Sequence, residues 1–443
     1  MALALSLPRF QLLPGLALLR QPWLLPLRDL VSFEALLVLL VFAPRYRSHP
    51  LLAAHLPADP ALIFLALTLA VAPVLLLRRG VYIPGLLVVG GMVLFTFWMA
   101  LSWSWSPSVG YAREKLITFV IVCIWPLICT AMLVAGDRER TARLFRLWVY
   151  LACWLALEVF LVWAAQGFRG RVYLYKIENY LGYGSVCGPA ALIVLTYWAT
   201  RKSLWSPAAL ACLAVFGWLM MPLVVGGGRG PLLATFIAMS AVMLVGFDLR
   251  DGRVRMHRVQ LPIVVTVIAG AAFLAWAIAA QLDTETVNRL ERLLSNDIGN
   301  SAEERIFQIG ETIRLLTERA ISGWGLGAYG TLVFGQDKRL YPHNLFLELI
   351  LEFGVIGLAL FVLAWVPALR RVSVRRIVTD PLFLCGLLVA LQAVLALQTS
   401  WTFSESRNLV LGLGLMMVRP PPAGAPRPNP TPSPGIGRPR LEP

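Results

Sequence analysis

Four polar side chains stand at the start of an apolar run near the end of the chain. Residues 342–352 read PHNLFLELILE and contain His343, Asn344, Glu348 and Glu352. In a helix, Asn344, Glu348 and Glu352 share one face because they are spaced four residues apart. Two acids on one face predict contact with the interior of a helix bundle or a wet cavity, not with lipid. His343 lies beside this face, where an imidazole can move a proton near neutral pH.

Each of these residues also has a purely structural explanation. His343 and Asn344 can cap a helix, and the two glutamates can accept hydrogen bonds from nearby donors. Four polar groups together at a membrane boundary favour a functional site instead. We interpret His343 as the catalytic proton acceptor and Asn344, Glu348 and Glu352 as supporting residues, with Glu348 as the second candidate for the base.

A second candidate site is the turn GGGRGP at residues 226–231. Arg229 lies within it and precedes Pro231 at the start of another apolar run. Exposed backbone N–H groups and a helix N-terminus add to the positive field of the guanidinium, which suits an anion. A tight connection between two helices is the simpler alternative.

A glycine-rich segment precedes the histidine. Gly325-x-Gly327-x-x-Gly330 matches the pattern of dinucleotide-binding loops, but no βαβ unit surrounds it. We therefore interpret the segment as a flexible, close-packed loop just ahead of His343.

Composition defines the class of protein that must position these groups. Of the 443 residues, 58% are hydrophobic and only 14% are charged, whereas soluble proteins are about half apolar and a quarter charged. Apolar runs of membrane length recur along the chain, which predicts an all-α polytopic membrane protein with about twelve transmembrane helices. The candidate spans are 30–43, 61–77, 84–101, 116–135, 147–165, 184–200, 206–224, 231–247, 261–281, 343–366, 382–400 and 407–418.

The placement of lysine and arginine predicts the orientation, because short cytoplasmic loops carry an excess of them. The net charge of +15 is explained in the same way, without a nucleic-acid partner. The expected order is a cytoplasmic or interfacial segment at 1–29, membrane helices 1–9 within 30–281, a large outer loop at 282–342, helices 10–12 within 343–418, and a disordered Pro-rich cytoplasmic tail at 419–443.

The large outer loop contains an amphipathic pattern over residues 301–320. Such a helix would lie on the membrane surface or cap the bundle, with Arg305 in its first turn. Its apolar stripe consists of Ile306, Ile309, Ile313, Leu316 and Ala320.

Several cations are expected on the outer side together with the candidate base. Arginine favours bidentate contact with phosphate, so Arg229 and Arg305 beside His343 would suit a phosphate-bearing leaving group next to a proton acceptor. The lipid setting suggests that the phosphate belongs to a lipid. Further candidates for phosphate contacts are Arg169, Arg171 and Lys176.

These motifs resemble the signature of the O-antigen ligase and O-antigen polymerase superfamily. GWGLGAYG at 323–330 precedes a P-H-N at the start of a membrane helix and then an E-x-G, here Glu352 and Gly354. The turn at 226–231 is similar to the family's Gly-Ser-Arg-Gly turn, with Gly228 in place of serine. The segment ERIFQIGETIRLL resembles the arginine-led helix that precedes the glycine-rich segment in the family.

The resemblance implies a fold and an activity. The fold would be a GT-C-like bundle in the bacterial inner membrane, with one large periplasmic loop and a periplasmic active site. The protein would move a glycan from undecaprenyl diphosphate to a hydroxyl of lipid A–core oligosaccharide, with inversion and without a metal or cofactor. Arg229 and Arg305 would bind the diphosphate, and His343 would act on the acceptor.

Other functions remain open at this stage. A polysaccharide polymerase or a protein O-oligosaccharyltransferase of the same superfamily would share the donor chemistry and differ only in the acceptor. A secondary transporter is the alternative from another class, because it would also need many spans and intramembrane acids. Against it, the chain shows no repeated half, and the unusual residues collect on one side of the membrane.

Overall fold

The computed structural model describes residues 27–170, 172–174, 181–200, 205–245, 247–250, 253–256, 260–279 and 300–421. Most of the predicted N-terminal segment, the first part of the outer loop, Arg171, Lys176 and almost all of the predicted tail lie outside these residues.

Helices make up most of the described chain, and every one of the twelve predicted spans contains a helix. In chain order the principal helices are α1 (Phe33–Phe42), α2 (Pro60–Arg79), α3 (Ile83–Ser102), α4 (Gly110–Val134), α5 (Arg138–Ala165), α6 (Leu181–Ala199), α7 (Pro207–Val225), α8 (Arg229–Val245), α9 (Gln260–Ala279), α10 (Asn300–Leu316), α11 (Ala328–Phe334), α12 (Leu345–Leu363), α13 (Pro381–Leu397) and α14 (Arg407–Met416).

Shorter elements connect these helices. One-turn or slightly longer helices lie at Leu27–Leu30, Pro50–His55, Val366–Leu369 and Val374–Thr379, and 3-10 turns lie at Ala43–Tyr46, Trp103–Trp105 and Phe403–Glu405. An antiparallel pair of strands, β1 (Phe247–Arg250) and β2 (Arg253–Met256), lies between α8 and α9. This pair is a small departure from the all-α prediction.

Seven helices in the described part of the chain are long and apolar enough to cross a membrane, which needs about 20 residues. They are α2 to α7 and the helix that starts with α12 and continues to Leu369. Of the helices in the other predicted spans, α1 and α14 have only ten residues each. The prediction of an all-α polytopic membrane protein is confirmed, and the chain is a multi-pass membrane protein.

Contacts between the connecting segments gather several of them at one end of the bundle. Arg45, after α1, donates to the Ser185 hydroxyl in α6 at 3.2 Å. Tyr341, ahead of α12, donates to the Ser400 carbonyl after α13 at 3.4 Å. These segments are ones that the lysine and arginine pattern assigned to the outer side. We call this end, which includes residues 43–46, 101–110, 226–230, 320–344 and 398–406, the site end.

Other connecting segments meet away from these residues. Arg79, after α2, pairs with Asp137 at 2.9 Å, just ahead of α5. Arg138 in α5 pairs with Asp380 at 2.8 Å, just ahead of α13. The predicted inner connections therefore also contact one another, as a bundle of crossing helices requires.

A cluster of phenylalanines supports the site end from within. Phe95 of α3, Phe119 of α4, Phe353 of α12 and Phe403 are all fully buried. Their rings meet edge to face, with centroids 5.2 to 5.8 Å apart around the cluster. Such contacts add to the stabilisation that burial provides, so the three helices and the turn at 403–405 are fixed relative to one another.

Candidate active site

The mouth of α12 is defined by the cap of the helix. Asn344 is the N-cap, and its side-chain oxygen accepts hydrogen bonds from the backbone N–H groups of Phe346 and Leu347, both at 3.1 Å. The cap satisfies donors that a helix start leaves unpaired. Asn344 therefore determines where α12 begins and holds His343 directly ahead of the helix.

His343 has an unusual backbone and an unsatisfied ring. Its φ is 52°, in the left-handed region that is uncommon for residues other than glycine. The half-buried imidazole lies against the Tyr341 ring, with centroids 4.4 Å apart and planes tilted by 50°. Its Nδ1 atom is buried and has no hydrogen-bond partner among the described residues. Strained backbone and unpaired buried polar atoms both concentrate at functional sites.

The surroundings keep the imidazole neutral. Burial and the positive charge of Arg305 lower the pKa of His343 to about 4. Burial raises the pKa of the neighbouring Tyr341 to about 12, so its phenol remains a donor. At neutral pH the imidazole of His343 therefore has a nitrogen lone pair that can accept a proton.

The two glutamates on α12 face a lysine that the sequence analysis did not single out. Lys115 Nζ lies 2.7 Å from Glu348 Oε1 and 2.6 Å from Glu352 Oε1, and all three side chains are completely buried. The ammonium also lies 4.4 Å from the centre of the Phe403 ring, in a cation–π contact. A buried carboxylate requires a partner, and that requirement was the signal pointing to a cation on a neighbouring helix.

The second oxygen of each carboxylate accepts a hydrogen bond as well. Glu348 accepts from the Thr402 hydroxyl at 2.5 Å and from the Phe403 N–H at 2.8 Å. Glu352 accepts from the Gly327 N–H at 2.9 Å. The group of Lys115, Glu348 and Glu352 therefore joins α4, α12, the glycine-rich loop and the segment after α13. We call this group the buried triad.

The E-x-G motif produces a break in α12. Gly354 has φ 66° and ψ −172°, a conformation essentially confined to glycine. The break frees backbone groups that pair with the preceding loop. Trp324 and Gly325 donate their N–H groups to the carbonyls of Leu351 and Glu352, both at 2.8 Å, and the Val355 N–H donates to a loop carbonyl at 2.9 Å. The glycine-rich segment is thus a close-packed loop as far as Gly327, but from Ala328 onward it forms helix α11, which the prediction of a loop did not include.

Replacing Gly354 by alanine tests this packing. The added Cβ would lie 2.0 Å from the Ile321 carbonyl oxygen, and the backbone conformation alone adds about 1–3 kcal/mol of strain. We expect a drop in thermal midpoint of several degrees and loss of activity, measured on detergent-purified protein. Gly90→Ala in α3 is the matched control, because a Cβ there meets nothing within 4 Å. Equal stability of the two variants would contradict this account.

The turn before α8 brings Arg229 close to the same region. Arg229 is the first residue of α8, and Gly227 ahead of it has φ 76°. The helix start packs so tightly that a Cβ on Gly230 would lie 2.6 Å from the Ser400 hydroxyl oxygen. The Ser400 carbonyl in turn accepts the hydrogen bond from Tyr341. The residue after Arg229 therefore packs against Ser400, and Ser400 is hydrogen-bonded to Tyr341, whose ring lies against His343.

Two further acidic residues at the site end were missed by the sequence analysis. Asp337 accepts hydrogen bonds from the Ser108 hydroxyl at 2.5 Å and the Gly110 N–H at 2.7 Å, so it caps α4. Glu405 pairs with Arg339 at 2.6 Å. Both contacts connect the segment just before His343 to neighbouring parts of the site end.

The structure thus brings most of the predicted site residues to one end of the bundle. The charge of Arg305 lowers the pKa of His343, and Asn344 caps the helix that follows. Arg229 lies at the start of α8, which packs against Ser400. Glu348 and Glu352 lie deeper, in the buried triad. This arrangement is that of a multi-pass membrane protein with a neutral imidazole and arginines gathered at one end.

Part of the chain matches a known protein family. Residues 214–362 match the family model described as O-antigen ligase. The matched region runs from α7 to α12 and includes Arg229, Arg305 and His343. This match confirms the resemblance of the chain to the O-antigen ligase superfamily and supports a glycosyltransferase activity of that family. A search of curated proteins finds no match.

Proposed function

We propose that this protein transfers a glycan from undecaprenyl diphosphate to a hydroxyl group of lipid A–core oligosaccharide, on the periplasmic face of the inner membrane. The observation that carries the proposal is the neutral, half-buried imidazole of His343, whose Nδ1 has no partner in the described structure and which lies within the field of Arg305. A proton acceptor beside a cation suits attack by a hydroxyl on a sugar whose leaving group is a diphosphate.

Each proposed site residue has a defined role in the transfer reaction. Arg229 and Arg305 bind the diphosphate and stabilise the charge that grows on it as the sugar C1–oxygen bond breaks. The acceptor oxygen forms the new bond to C1, its proton passes to His343, and the bonding electron pair leaves with the diphosphate. Attack opposite the leaving group inverts C1. The diphosphate is already an activated leaving group, so the step requires neither ATP nor a metal.

The contacts of Glu348 favour His343 as the base. Both oxygens of Glu348 accept hydrogen bonds, from Lys115, Thr402 and the Phe403 backbone, and the side chain has no exposed surface. A proton acceptor must reach the acceptor hydroxyl directly or through one water. We assign Glu348 and Glu352 the supporting role of holding α12 in place, and Asn344 that of presenting His343.

Transport is a weaker explanation than transfer. The family match supports a glycosyltransferase, and the candidate groups collect at the site end, whereas transporters bind their cargo near the midplane. A polymerase or a protein O-oligosaccharyltransferase would use the same donor chemistry, so the acceptor is the point to test.

A strain that lacks the gene, complemented with the wild type or with His343→Ala, tests the acceptor. Surface polysaccharide is resolved by size on a gel, and carrier-linked glycan is assayed in parallel. We expect the variant to lose long chains from lipid A–core while full-length polymer remains on the carrier. Single repeat units on the carrier would instead indicate a polymerase. Wild-type behaviour of His343→Ala at normal protein levels would contradict the mechanism.

The pH dependence of transfer should follow His343. Only the neutral imidazole accepts a proton, so kcat/KM, which reports the free enzyme, should be flat above pH 5 and fall as pH approaches the pKa of about 4. A bound diphosphate offsets the charge of Arg305 and raises this pKa, so the acid limb of kcat should lie at higher pH. Both predictions are checked by measuring kcat/KM and kcat as functions of pH, in steady-state and pre-steady-state experiments. An acid limb of kcat/KM at the ordinary histidine value of about 6.5 would contradict the burial of His343 beside Arg305.

A further inference from the structure

The segment after α12 is strongly basic and lies at the end of the bundle opposite the site end. The apolar helix that starts with α12 at the site end continues to Leu369, and its 25 residues are enough to cross a membrane. Residues 370–376 follow directly and read RRVSVRR. We call them the basic segment. Four arginines therefore lie just beyond a membrane-spanning helix, where hydrocarbon gives way to lipid headgroups.

Two of these arginines hold the end of α14. Arg371 Nη1 donates to the Met417 carbonyl at 3.0 Å, and Arg376 Nη2 donates to the Val418 carbonyl at 2.5 Å. Carbonyls at a helix C-terminus lack partners within the helix and carry partial negative charge. Arg371 Nη1 also lies 3.4 Å from the Val418 carbonyl oxygen. The two guanidinium groups therefore meet at one oxygen, which brings two positive charges close together.

The carboxylate beside these arginines does not balance their charge. Asp380 is completely buried, and its two oxygens accept hydrogen bonds from Arg138 of α5 at 2.8 and 3.1 Å. Asp380 lies 3.5 Å from Arg376 Nε, which makes no hydrogen bond to a described residue. Burial and the charge of Arg371 lower the pKa of Arg376, against the opposing effect of Asp380. Positive charge is thus in excess around the basic segment.

The other two arginines of the basic segment face the surroundings of the protein. Arg370 and Arg375 are exposed, and neither forms a salt bridge within the described part of the chain. Leu369, Val372 and Val374 flank them in the sequence and are 46%, 37% and 48% exposed. A surface that mixes cations with apolar side chains at a membrane boundary suits a molecule that is anionic at one end and apolar along the rest.

We propose that the basic segment binds an anionic phospholipid, with the phosphate at Arg370 and Arg375 and the upper acyl chains against Leu369 and Val374. Basic clusters beside spanning helices attract anionic headgroups in this way. The excess of arginine in inner loops accounts for the sign of the charge. It does not account for two arginines that remain exposed and without a salt bridge, while their two neighbours hold α14.

A bound headgroup is expected to stabilise the protein as well as occupy the surface. The phosphate would add a negative charge next to Arg371 and Arg376, whose guanidinium groups repel each other where they meet. These two residues hold the end of α14, and α14 begins at Arg407, directly after the site end. A ligand that binds the folded state alone raises the thermal midpoint. Stabilisation by lipid is therefore a direct readout of the site.

A lipid titration of the purified protein tests the proposal. The protein in neutral detergent is titrated with phosphatidylglycerol, which is anionic, or with phosphatidylcholine, which is zwitterionic, and the thermal midpoint is recorded at each concentration. The test variant is Arg370→Gln/Arg375→Gln, which removes two charges from exposed positions. The matched control is Arg78→Gln/Arg113→Gln, which removes the same charge from exposed positions in other segments.

We expect phosphatidylglycerol to raise the wild-type midpoint and phosphatidylcholine to leave it unchanged. The dissociation constant for phosphatidylglycerol should rise about thirtyfold in Arg370→Gln/Arg375→Gln, from about fivefold for each arginine near an anionic surface. The control should bind like the wild type. An equal response of the wild type to both lipids would overturn the proposal. So would an unchanged dissociation constant in the test variant, or an equal loss in the control.

Native mass spectrometry of the same samples counts bound lipid directly and shows whether each variant is intact. Glycerol phosphate, a soluble phosphate without acyl chains, should neither bind nor raise the midpoint, because Leu369 and Val374 then have no hydrocarbon to contact. Stabilisation by glycerol phosphate equal to that by phosphatidylglycerol would overturn the lipid proposal in favour of a site for free phosphate. Both measurements are independent of glycan transfer, so a protein without transfer activity could still confirm the lipid site.

Discussion

Replacing His343 by glycine is expected to lower the rate of glycan transfer by about 10²–10⁴-fold, the usual contribution of a positioned base. The fold should be at least as stable as that of the wild type. His343 has φ 52°, a conformation that strains most side chains and that glycine adopts freely. The substitution therefore removes the imidazole and relieves backbone strain together.

The measurement pairs kcat, at saturating donor and acceptor, with the thermal midpoint of the purified protein. His343→Asn is the companion variant, because asparagine tolerates the left-handed region better than most residues but is no base. Both variants should be folded and inactive. Retention of activity within tenfold of the wild type in His343→Gly would show that the base is another residue.

Replacing Lys115 by methionine is expected to lower the free energy of unfolding by about 3–5 kcal/mol. Lys115 is the only cation within salt-bridge distance of Glu348 and Glu352 in the described structure, and all three side chains are completely buried. Loss of one partner leaves buried charge uncompensated, which is the costly case. The change should also weaken the packing of the glycine-rich loop on α12, because Glu352 accepts a hydrogen bond from the Gly327 N–H.

Denaturation of the purified variant, or its yield in the membrane if it does not accumulate, measures this effect. Lys338→Met is the matched control, because Lys338 is exposed and has no salt bridge in the described structure; surface changes of this kind stay within about 0.5 kcal/mol. Combining Lys115→Met with Glu348→Gln and Glu352→Gln should restore much of the stability, because no charge then remains. A Lys115→Met variant as stable as the control would show that the triad contributes little.

The architecture was predictable from sequence because lipid imposes a simple rule. A spanning segment must satisfy its backbone internally and show an apolar surface, so long apolar runs identify helices with little ambiguity. The start of α12 was also predictable to within two residues. Pro342 and Asn344 belong to types that favour helix starts, and α12 begins at Leu345.

The partners of the charged groups were not predictable in this way. Lys115 and Glu348 are 233 positions apart in the chain, and helical periodicity carries no information about which helices become neighbours. The acids on α12 indicated that a cation was needed but not which one. The same limit applies to Asp337, whose role as a cap depends on the meeting of two distant loops.

The break at Gly354 shows a further limit. By composition α12 is a continuous apolar helix, and a glycine within it is tolerated without a break. The break is required because the loop at 320–325 pairs with the freed backbone groups of α12. Likewise the sequence revealed the apolar stripe of α10, but only the packing shows that Ile306 and Ile313 face outward while Leu316 packs against a buried cluster.

The most direct test of the proposed function is transfer by the purified protein. A synthetic donor with a single glycan on polyprenyl diphosphate is incubated with lipid A–core oligosaccharide, and both products are analysed by mass spectrometry and by the configuration of the new linkage. We expect release of polyprenyl diphosphate and a glycoside of inverted configuration at C1, with both lost in His343→Gly. Absence of polyprenyl diphosphate release by folded wild-type protein, or retention of configuration at C1, would contradict it.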